Sequence, residues 1–254
     1  MKFVFEGPVM IISWAVAKSA CGLQSRDSIP PLADSGCVAI SSLDKADCLN
    51  RAFAAQCSAP SSTPPTLPMG PPGSKFTFSM ISIADVLKRL ASLNVWKASG
   101  LDELPNGFLK ECRFAIAEPL THIFNFPLST GVFPAAWKVG SIQPVYKQSR
   151  SCATSYRPIT LLSCVSKILE GFVRLQLLTY SFDIGVIPDQ QFGFLPKRST
   201  VRQLLAVVDN WELALDEGRC VHACFLDVAK AFDRVDHGLL LFKLQRSGIC
   251  GVPL

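Results

Sequence analysis

The stretch CFLDVAKAFDRVDH, residues 224–237, continues an apolar run that begins at Cys220. An apolar run of this length, bounded by polar residues, predicts a buried strand over residues 220–227 that ends at Asp227. Asp233 and Asp236 follow, and we expect both to cap the next helix. A carboxylate held at the end of a buried strand suits a hard divalent cation with oxygen ligands. Asp227 is therefore the candidate metal ligand.

Cysteine and histidine side chains alternate along the same predicted strand. Cys220, His222 and Cys224 would share one of its faces, because successive side chains of a strand point to opposite sides. Thiolates and imidazoles are zinc ligands, but a structural zinc site needs four, and no fourth ligand follows at a recognisable spacing. We therefore expect that these three residues do not form a zinc site.

Positive charge is concentrated in the middle of the chain. Residues 138–202 contain nine Lys or Arg and three acidic residues, a net charge of +6, whereas residues 203–254 carry −2. Lys147 ends the predicted strand SIQPVYK, and Arg157 lies in SYRPIT after a polar loop. Across a hairpin these two cations could hold a triphosphate. The alternative is that they are ordinary charges at strand ends.

Hydrophobic periodicity and capping residues predict a helix-rich α+β fold. We expect Asp85 to form a capping box with Ser82, and Pro144 to confine its strand to a sheet edge. The helix over 199–217 should carry one apolar face, with Val201, Leu204, Leu205, Val208, Trp211 and Leu215. The predicted helices cover residues 82–93, 106–124 (broken near Pro119), 163–178, 199–217 and 236–248, and the predicted strands cover 141–147 and 220–227.

Proline divides the chain. Residues 59–73 read APSSTPPTLPMGPPG, which excludes a helix or a central strand and predicts a linker over 59–74. It separates an upstream segment, 1–58, which we expect to be irregular and partly disordered, from the main domain, 75–254.

Composition narrows the class of protein. Hydrophobic residues make up 49% and charged residues 18% of the chain, which excludes a disordered protein. The ten cysteines could belong to a small secreted disulfide protein, but a chain of 254 residues can build a core without disulfides, so free thiols are the better interpretation. Residues 9–17 imitate a signal peptide, although Glu6 and Pro8 interrupt the approach to them. We expect an intracellular protein of the cytoplasm or nucleus, with no membrane-spanning helix.

Five stretches in order resemble the reverse transcriptase of non-LTR (LINE-type) retrotransposons. WKASGLDELPNGFLKEC (96–112) resembles the family's opening motif. GVFPAAWKVGSIQPVYK (131–147) and SYRPITLLSCVSKILE (155–170) resemble its fingers hairpin and the helix that follows. DQQFGFLPKRSTVRQLL (189–205) is similar to the next motif, and CFLDVAKAFDRVDHGLLLFKLQRSGI (224–249) to motif A of the palm. The resemblance implies part of a right-hand polymerase, with fingers and an incomplete palm.

The resemblance also implies roles for individual residues. Asp227 matches the motif A aspartate that binds Mg²⁺, and Val228 would add its backbone carbonyl. Phe232 matches the side chain that packs under the deoxyribose and excludes a 2′-hydroxyl. Lys147 and Arg157 match the cations that hold the incoming dNTP. The residues implied to lie near the RNA template and the DNA primer are Gln190, Phe192, Gly193, Lys197 and Arg198.

Two of the family's motifs are missing between residues 1 and 254, namely a Gly-x-Pro-Gln-Gly-Ser loop and a YxDD box. Nucleotidyl transfer uses two metal ions, and one carboxylate cannot hold both. We therefore expect a truncated reverse transcriptase that does not extend a primer by itself. The alternatives are a non-catalytic module that binds nucleic acid through residues 138–202, and a small secreted cysteine-rich protein.

Overall fold

The computed structural model describes residues 29–34, 37–56, 75–147 and 150–250. The signal-like residues 9–17 and the whole of the proline-rich linker, 59–74, lie outside this part of the chain. The described residues form a helix-rich α+β fold, as predicted, with two small antiparallel sheets.

Four strands pair in sequence order. They are β1 (Leu32–Asp34), β2 (Cys37–Ala39), β3 (Ser141–Tyr146) and β4 (Tyr156–Leu161). The helices are α1 (Ser42–Gln56), α2 (Ile83–Ala91), α3 (Asn106–Glu111), α4 (Arg113–Thr130), α5 (Cys164–Asp183), α6 (Thr200–Asp216) and α7 (His237–Arg246). Two short 3₁₀ helices cover Ala135–Lys138 and Ala153–Ser155.

Capping side chains set the starts of four helices. At α2, the Ser82 hydroxyl accepts from the backbone N–H of Asp85 at 3.2 Å and donates to its carboxylate at 2.6 Å, which confirms the predicted capping box. The hydrogen bonds from the Ser82 side chain and backbone lower the pKa of Asp85. Ser163, Ser199 and Asp236 cap α5, α6 and α7 in the same local way.

Helices α2 to α5 enclose the main hydrophobic core. Phe124 of α4 is fully buried and packs against Trp137 and Phe172, with ring centroids 6.1 and 6.4 Å away. Val165, Ile168 and Leu169 of α5 are buried, and Phe172 is half-buried against the same core. The fully buried members with at most 1% exposure are Val86, Leu90, Ala117, Phe124, Ile168 and Leu169.

A second, smaller core joins the upstream segment to the β3–β4 hairpin. Leu32, Leu49 and Phe53 are buried against Ala153 and Tyr156 of the hairpin region. The backbone N–H of Ala33 donates to the carbonyl of Ser151 at 2.8 Å, and Ala33 forms a parallel bridge with Cys152. Residues 29–34 and 37–56 therefore pack on the hairpin through a shared core.

The break in the α3–α4 region differs from the prediction. It falls at Cys112, and Pro119 lies inside α4, together with Pro127. Ala117 and Phe124, on either side of Pro119, both point into the core. Their burial keeps α4 continuous despite the backbone hydrogen bond that a proline removes. The position of the break is thus decided by packing and not by the proline.

The predicted strand at residues 220–227 is wrong. Residues 219–228 have no regular secondary structure, and Phe225 and Leu226 are 86% and 91% exposed. A strand forms only beside a partner that takes its backbone hydrogen bonds. Among the described residues no strand lies beside this stretch. Asp233 lies in a turn, and Asp236 alone caps α7, so half of the capping prediction is also wrong.

Helix α6 forms as predicted, but its apolar face does not pack into the core. Val201, Leu204, Leu205 and Leu215 are exposed, whereas Val208 and Trp211 are half-buried. Periodicity identifies an apolar face but does not determine what covers it.

Seven cysteines whose side chains the structure describes are free thiols, namely Cys48, Cys112, Cys152, Cys164, Cys220, Cys224 and Cys250. Cys48 and Cys164 are buried, and burial raises the pKa of the Cys164 thiol. Cys220 and Cys224 are exposed. Of the helices in the described ranges, none combines the length and apolarity that crossing a bilayer requires.

We predict that Phe124→Ala destabilises the main core by about 3–5 kcal/mol, because a fully buried ring leaves a cavity. The matched control is Phe126→Ala in the same helix, where 56% of the side chain is exposed and the loss should be below 1 kcal/mol. Urea unfolding of both variants measures the difference. Equal losses would show that Phe124 is not part of a close-packed core.

Candidate functional site

The β3–β4 hairpin positions the two candidate triphosphate cations. Arg157 lies directly opposite Val145, and the backbone N–H of Lys147 donates to the carbonyl of Ser155 at 2.9 Å. Cross-strand partners share a face, and so do residues two apart. Lys147 and Arg157 therefore belong to the same face of the hairpin, and both are exposed. The structure thus places both cations on one exposed face of the hairpin, and their role in holding a triphosphate stays a prediction.

The opposite face of the hairpin is covered. Tyr156 is 3% exposed, lies opposite Tyr146 and packs in the smaller core with Leu32 and Phe53. Its hydroxyl donates to the carbonyl of Arg150 at 2.7 Å, and burial raises its pKa. Because one face is packed against residues 29–56, the face with Lys147 and Arg157 is the one left to solvent.

A loop of the opening motif lies against the end of this hairpin. The Ser163 hydroxyl donates to the carboxylate of Asp102 at 2.5 Å and accepts from the backbone N–H of Val165 at 3.2 Å. A Cβ atom on Gly100 would lie 2.5 Å from the carbonyl carbon of Leu162 and from the nitrogen of Ser163. Only glycine allows the backbone at residue 100 to come this close to Leu162 and Ser163. The residues SGLD of the motif are therefore explained by the packing of this loop.

Hydrogen bonds from arginine side chains to backbone carbonyls shape the loop over residues 189–199. Arg198 donates to the carbonyl of Asp189 at 3.0 Å, and its guanidinium stacks on Phe192 at 4.9 Å. Arg202 donates to the carbonyl of Lys197 at 3.1 Å, and Arg174 to that of Phe194 at 3.2 Å. These bonds hold an unusual backbone, since Phe194 and Lys197 have φ values of 63° and 61°.

The five residues predicted near template and primer all fall in this loop. Gln190, Gly193 and Lys197 are exposed, while Phe192 and Arg198 are half-buried against each other. The Gln191 amide donates to the carbonyl of Gly193 at 3.1 Å. At least part of the Arg198 guanidinium thus forms hydrogen bonds within the loop, whereas the Lys197 side chain is exposed to solvent.

Asp227 and Val228 lie in the exposed stretch without a strand. The carboxylate of Asp236 caps α7, where it accepts from the Leu239 N–H at 3.0 Å. Within the described ranges, His, Cys, Asp and Glu side chains do not gather in groups of three that could hold a metal ion. In this arrangement Asp227 can supply one ligand, and the residues present do not complete a Mg²⁺ site.

The structure adds one contact that sequence reasoning missed. Phe232 packs edge-to-face against Phe194, with ring centroids 5.3 Å apart and an interplanar angle of 89°. Both side chains are largely exposed, at 75% and 81%. The position of Phe194 between Gly193 and Lys197, in a stretch predicted to lie near template and primer, is the sequence feature that could have identified it.

Residues 145–252 match the family described as reverse transcriptase (RNA-dependent DNA polymerase). This match includes the end of β3 with Lys147, β4 with Arg157, the loop over 189–199 and the segment with Asp227 and Phe232. Residues 145–252 are a reverse transcriptase region of the non-LTR retrotransposon type.

Named relatives agree with this assignment. The chain is 36% identical over 170 residues to the RNA-directed DNA polymerase from mobile element jockey of Drosophila melanogaster. It is 32% identical over 168 residues to the probable RNA-directed DNA polymerase from transposon BS of the same species. The aligned parts cover 66% and 65% of this chain but 19% and 18% of those relatives. The aligned part of the chain thus spans about a fifth of the length of these curated relatives.

We predict that Gly100→Ala lowers the free energy of unfolding by about 1–3 kcal/mol, because the added methyl group meets the backbone of Leu162 and Ser163. Gly107→Ala is the matched control, since its Cβ would lie 4.0 Å from Val95 and its place in α3 favours alanine by about 0.5–1 kcal/mol. Urea unfolding should give opposite signs for the two variants. A neutral Gly100→Ala would contradict the close approach.

Proposed function

We propose that this region supplies the fingers and the first metal-binding segment of an RNA-directed DNA polymerase with a right-hand fold. Lys147 and Arg157 would hold the triphosphate of an incoming dNTP, and Phe232 would pack under its deoxyribose. The loop with Gln190, Phe192, Gly193, Lys197 and Arg198 would lie beside the RNA template and DNA primer.

The observation that carries this proposal is the register of the hairpin. It puts two cations on one solvent-facing side of a rigid β-ribbon whose other side is packed. Two cations fixed on one face can share the negative charge of a triphosphate at a low entropic cost, because the backbone that carries them is already ordered. The family match, which covers residues 145–252, includes both Lys147 and Arg157.

Asp227 and the carbonyl of Val228 would be ligands of Mg²⁺, which supplies charge neutralisation in phosphoryl transfer. The described residues do not complete that site, so we derive no catalytic step through it. We further propose that the domain spans 75–254 and that the protein acts inside the cell, in the cytoplasm or nucleus.

A second candidate function is nucleic-acid binding without catalysis. It is favoured by the exposed position of Asp227, which joins no group of three or more His, Cys, Asp or Glu side chains in the described ranges, and by the net charge of +6 over residues 138–202. In that case the chain would bind RNA or DNA mainly through phosphate contacts.

We predict that Lys147→Ala and Arg157→Ala each weaken dNTP binding by about three- to tenfold, because each removes a charge-assisted contact at an exposed site. Lys88→Ala, an exposed lysine on α2, is the charge-matched control and should bind as the unaltered chain does. Displacement of a base-labelled deoxynucleoside triphosphate measures the affinities. A monophosphate competitor should show no dependence on either residue. Unchanged triphosphate affinity in both variants would overturn the assignment.

We also predict that single-stranded RNA binding falls steeply with salt, through counterion release. The triple variant Lys147→Ala, Arg157→Ala and Lys197→Ala should reduce the slope of log K against log[salt] by about 2, at about 0.7 per lost phosphate contact. Lys88→Ala should leave the slope unchanged. Fluorescence anisotropy across a salt series gives these slopes. A triple variant with the parental slope would exclude these cations from the interface.

A further inference from the structure

The edge-to-face contact between Phe194 and Phe232 joins two motifs that are far apart in the sequence. The two ring planes are perpendicular within one degree of 90°, and the centroids are 5.3 Å apart, which is the arrangement that aromatic quadrupoles favour. The two side chains are 81% and 75% exposed. Two phenylalanines exposed to this extent gain little from burial, so the contact itself calls for a reason.

Of the two rings, Phe194 belongs to the better-fixed backbone. Its carbonyl accepts a hydrogen bond from Arg174 of α5 at 3.2 Å, and the loop around it is closed by the bonds from Arg198 and Arg202. Its φ of 63° is a left-handed conformation that a bulky residue adopts only where surrounding contacts impose it.

Phe232 stands on a less supported segment. It follows the irregular stretch 219–228 and lies in turns that are held by local bonds, such as the Arg234 N–H to the Lys230 carbonyl at 3.1 Å. The ring of Phe194 is therefore a fixed surface against which the ring of Phe232 rests.

We propose that Phe194 is a positioning residue for sugar discrimination, acting through Phe232. This inference rests on the proposed function, in which Phe232 occupies the volume of a 2′-hydroxyl. A ring can exclude a hydroxyl only if it resists rotation about its χ1 angle. The edge of Phe194 restricts that rotation, whereas a ring without this neighbour can turn aside and admit a ribose.

The test measures binding of dATP and ATP to the chain of residues 1–254 in the presence of Mg²⁺, by equilibrium dialysis with each labelled nucleotide. The readout is the ratio of the two dissociation constants, since a residue with a merely structural role would change both constants together. Phe194→Leu should lower the preference for dATP by about two- to tenfold, the range expected for loss of one aromatic pair. Phe194→Met should do the same, and Phe194→Tyr, which keeps the ring, should retain the preference.

Phe232→Leu and a double variant separate the inference from the proposed function. Phe232→Leu should abolish the preference, and adding Phe194→Leu to it should cause no further change, because the two residues act as a unit. Phe114→Leu is the control for an exposed phenylalanine elsewhere, at 74% exposure on α4, and should keep the parental ratio.

Each outcome decides between the two claims. If the unaltered chain shows no preference for dATP, or Phe232→Leu keeps it, the proposed role of Phe232 fails and the inference fails with it. If Phe232→Leu loses the preference while Phe194→Leu and Phe194→Met retain it, the inference alone is overturned. Equal weakening of both nucleotides by Phe194→Leu would also overturn it.

Discussion

The hydroxyl group of Ser163 is the junction on which the arrangement of the site depends. It donates to Asp102 from the opening motif and accepts from the first turn of α5. The residue before it ends the connection from β4, and the helix after it carries Ile168 and Leu169 into the main core. One buried side chain, 6% exposed, thus ties the loop, the hairpin and the core together. Disrupting a buried hydroxyl that has all its hydrogen-bond partners destabilises the fold, because each group left without a partner carries its own desolvation cost.

Packing against residues 29–56 decides which side of the hairpin can bind a ligand. A two-stranded ribbon is marginally stable in isolation and gains stability when one face is covered. Here Leu32 and Phe53 cover the face of Tyr156. Side-chain alternation then forces Arg157 and Lys147 to the other side, whatever their own preferences. The upstream segment thus contributes to the site without contributing a residue to it.

The parts of the fold that sequence could predict are those decided within a few residues. The capping box of Ser82 and the caps at Ser163, Ser199 and Asp236 are local hydrogen bonds. The errors concern long-range partners. The apolar pattern of residues 220–227 predicts a strand, but a strand needs a second strand beside it, and the pattern does not show whether one is present. The same holds for the apolar face of α6. At the site, a hairpin between the two segments was enough to predict a common face for Lys147 and Arg157. The contact of Phe194 with Phe232 depends instead on hydrogen bonds from arginine side chains, which residue spacing does not predict.

Those arginine bonds also change how the positive charge of residues 138–202 should be understood. Three of its cations, Arg174, Arg198 and Arg202, donate to backbone carbonyls and hold the loop over 189–199 in shape. Lys147, Arg157 and Lys197 instead extend into solvent. A guanidinium that already donates to a carbonyl still contributes long-range attraction to a phosphate, but it has fewer donors left for a direct contact. Some cations of this segment therefore stabilise the loop, and others are available to bind phosphates. A count of charges alone overstates the number of phosphates that the segment can hold.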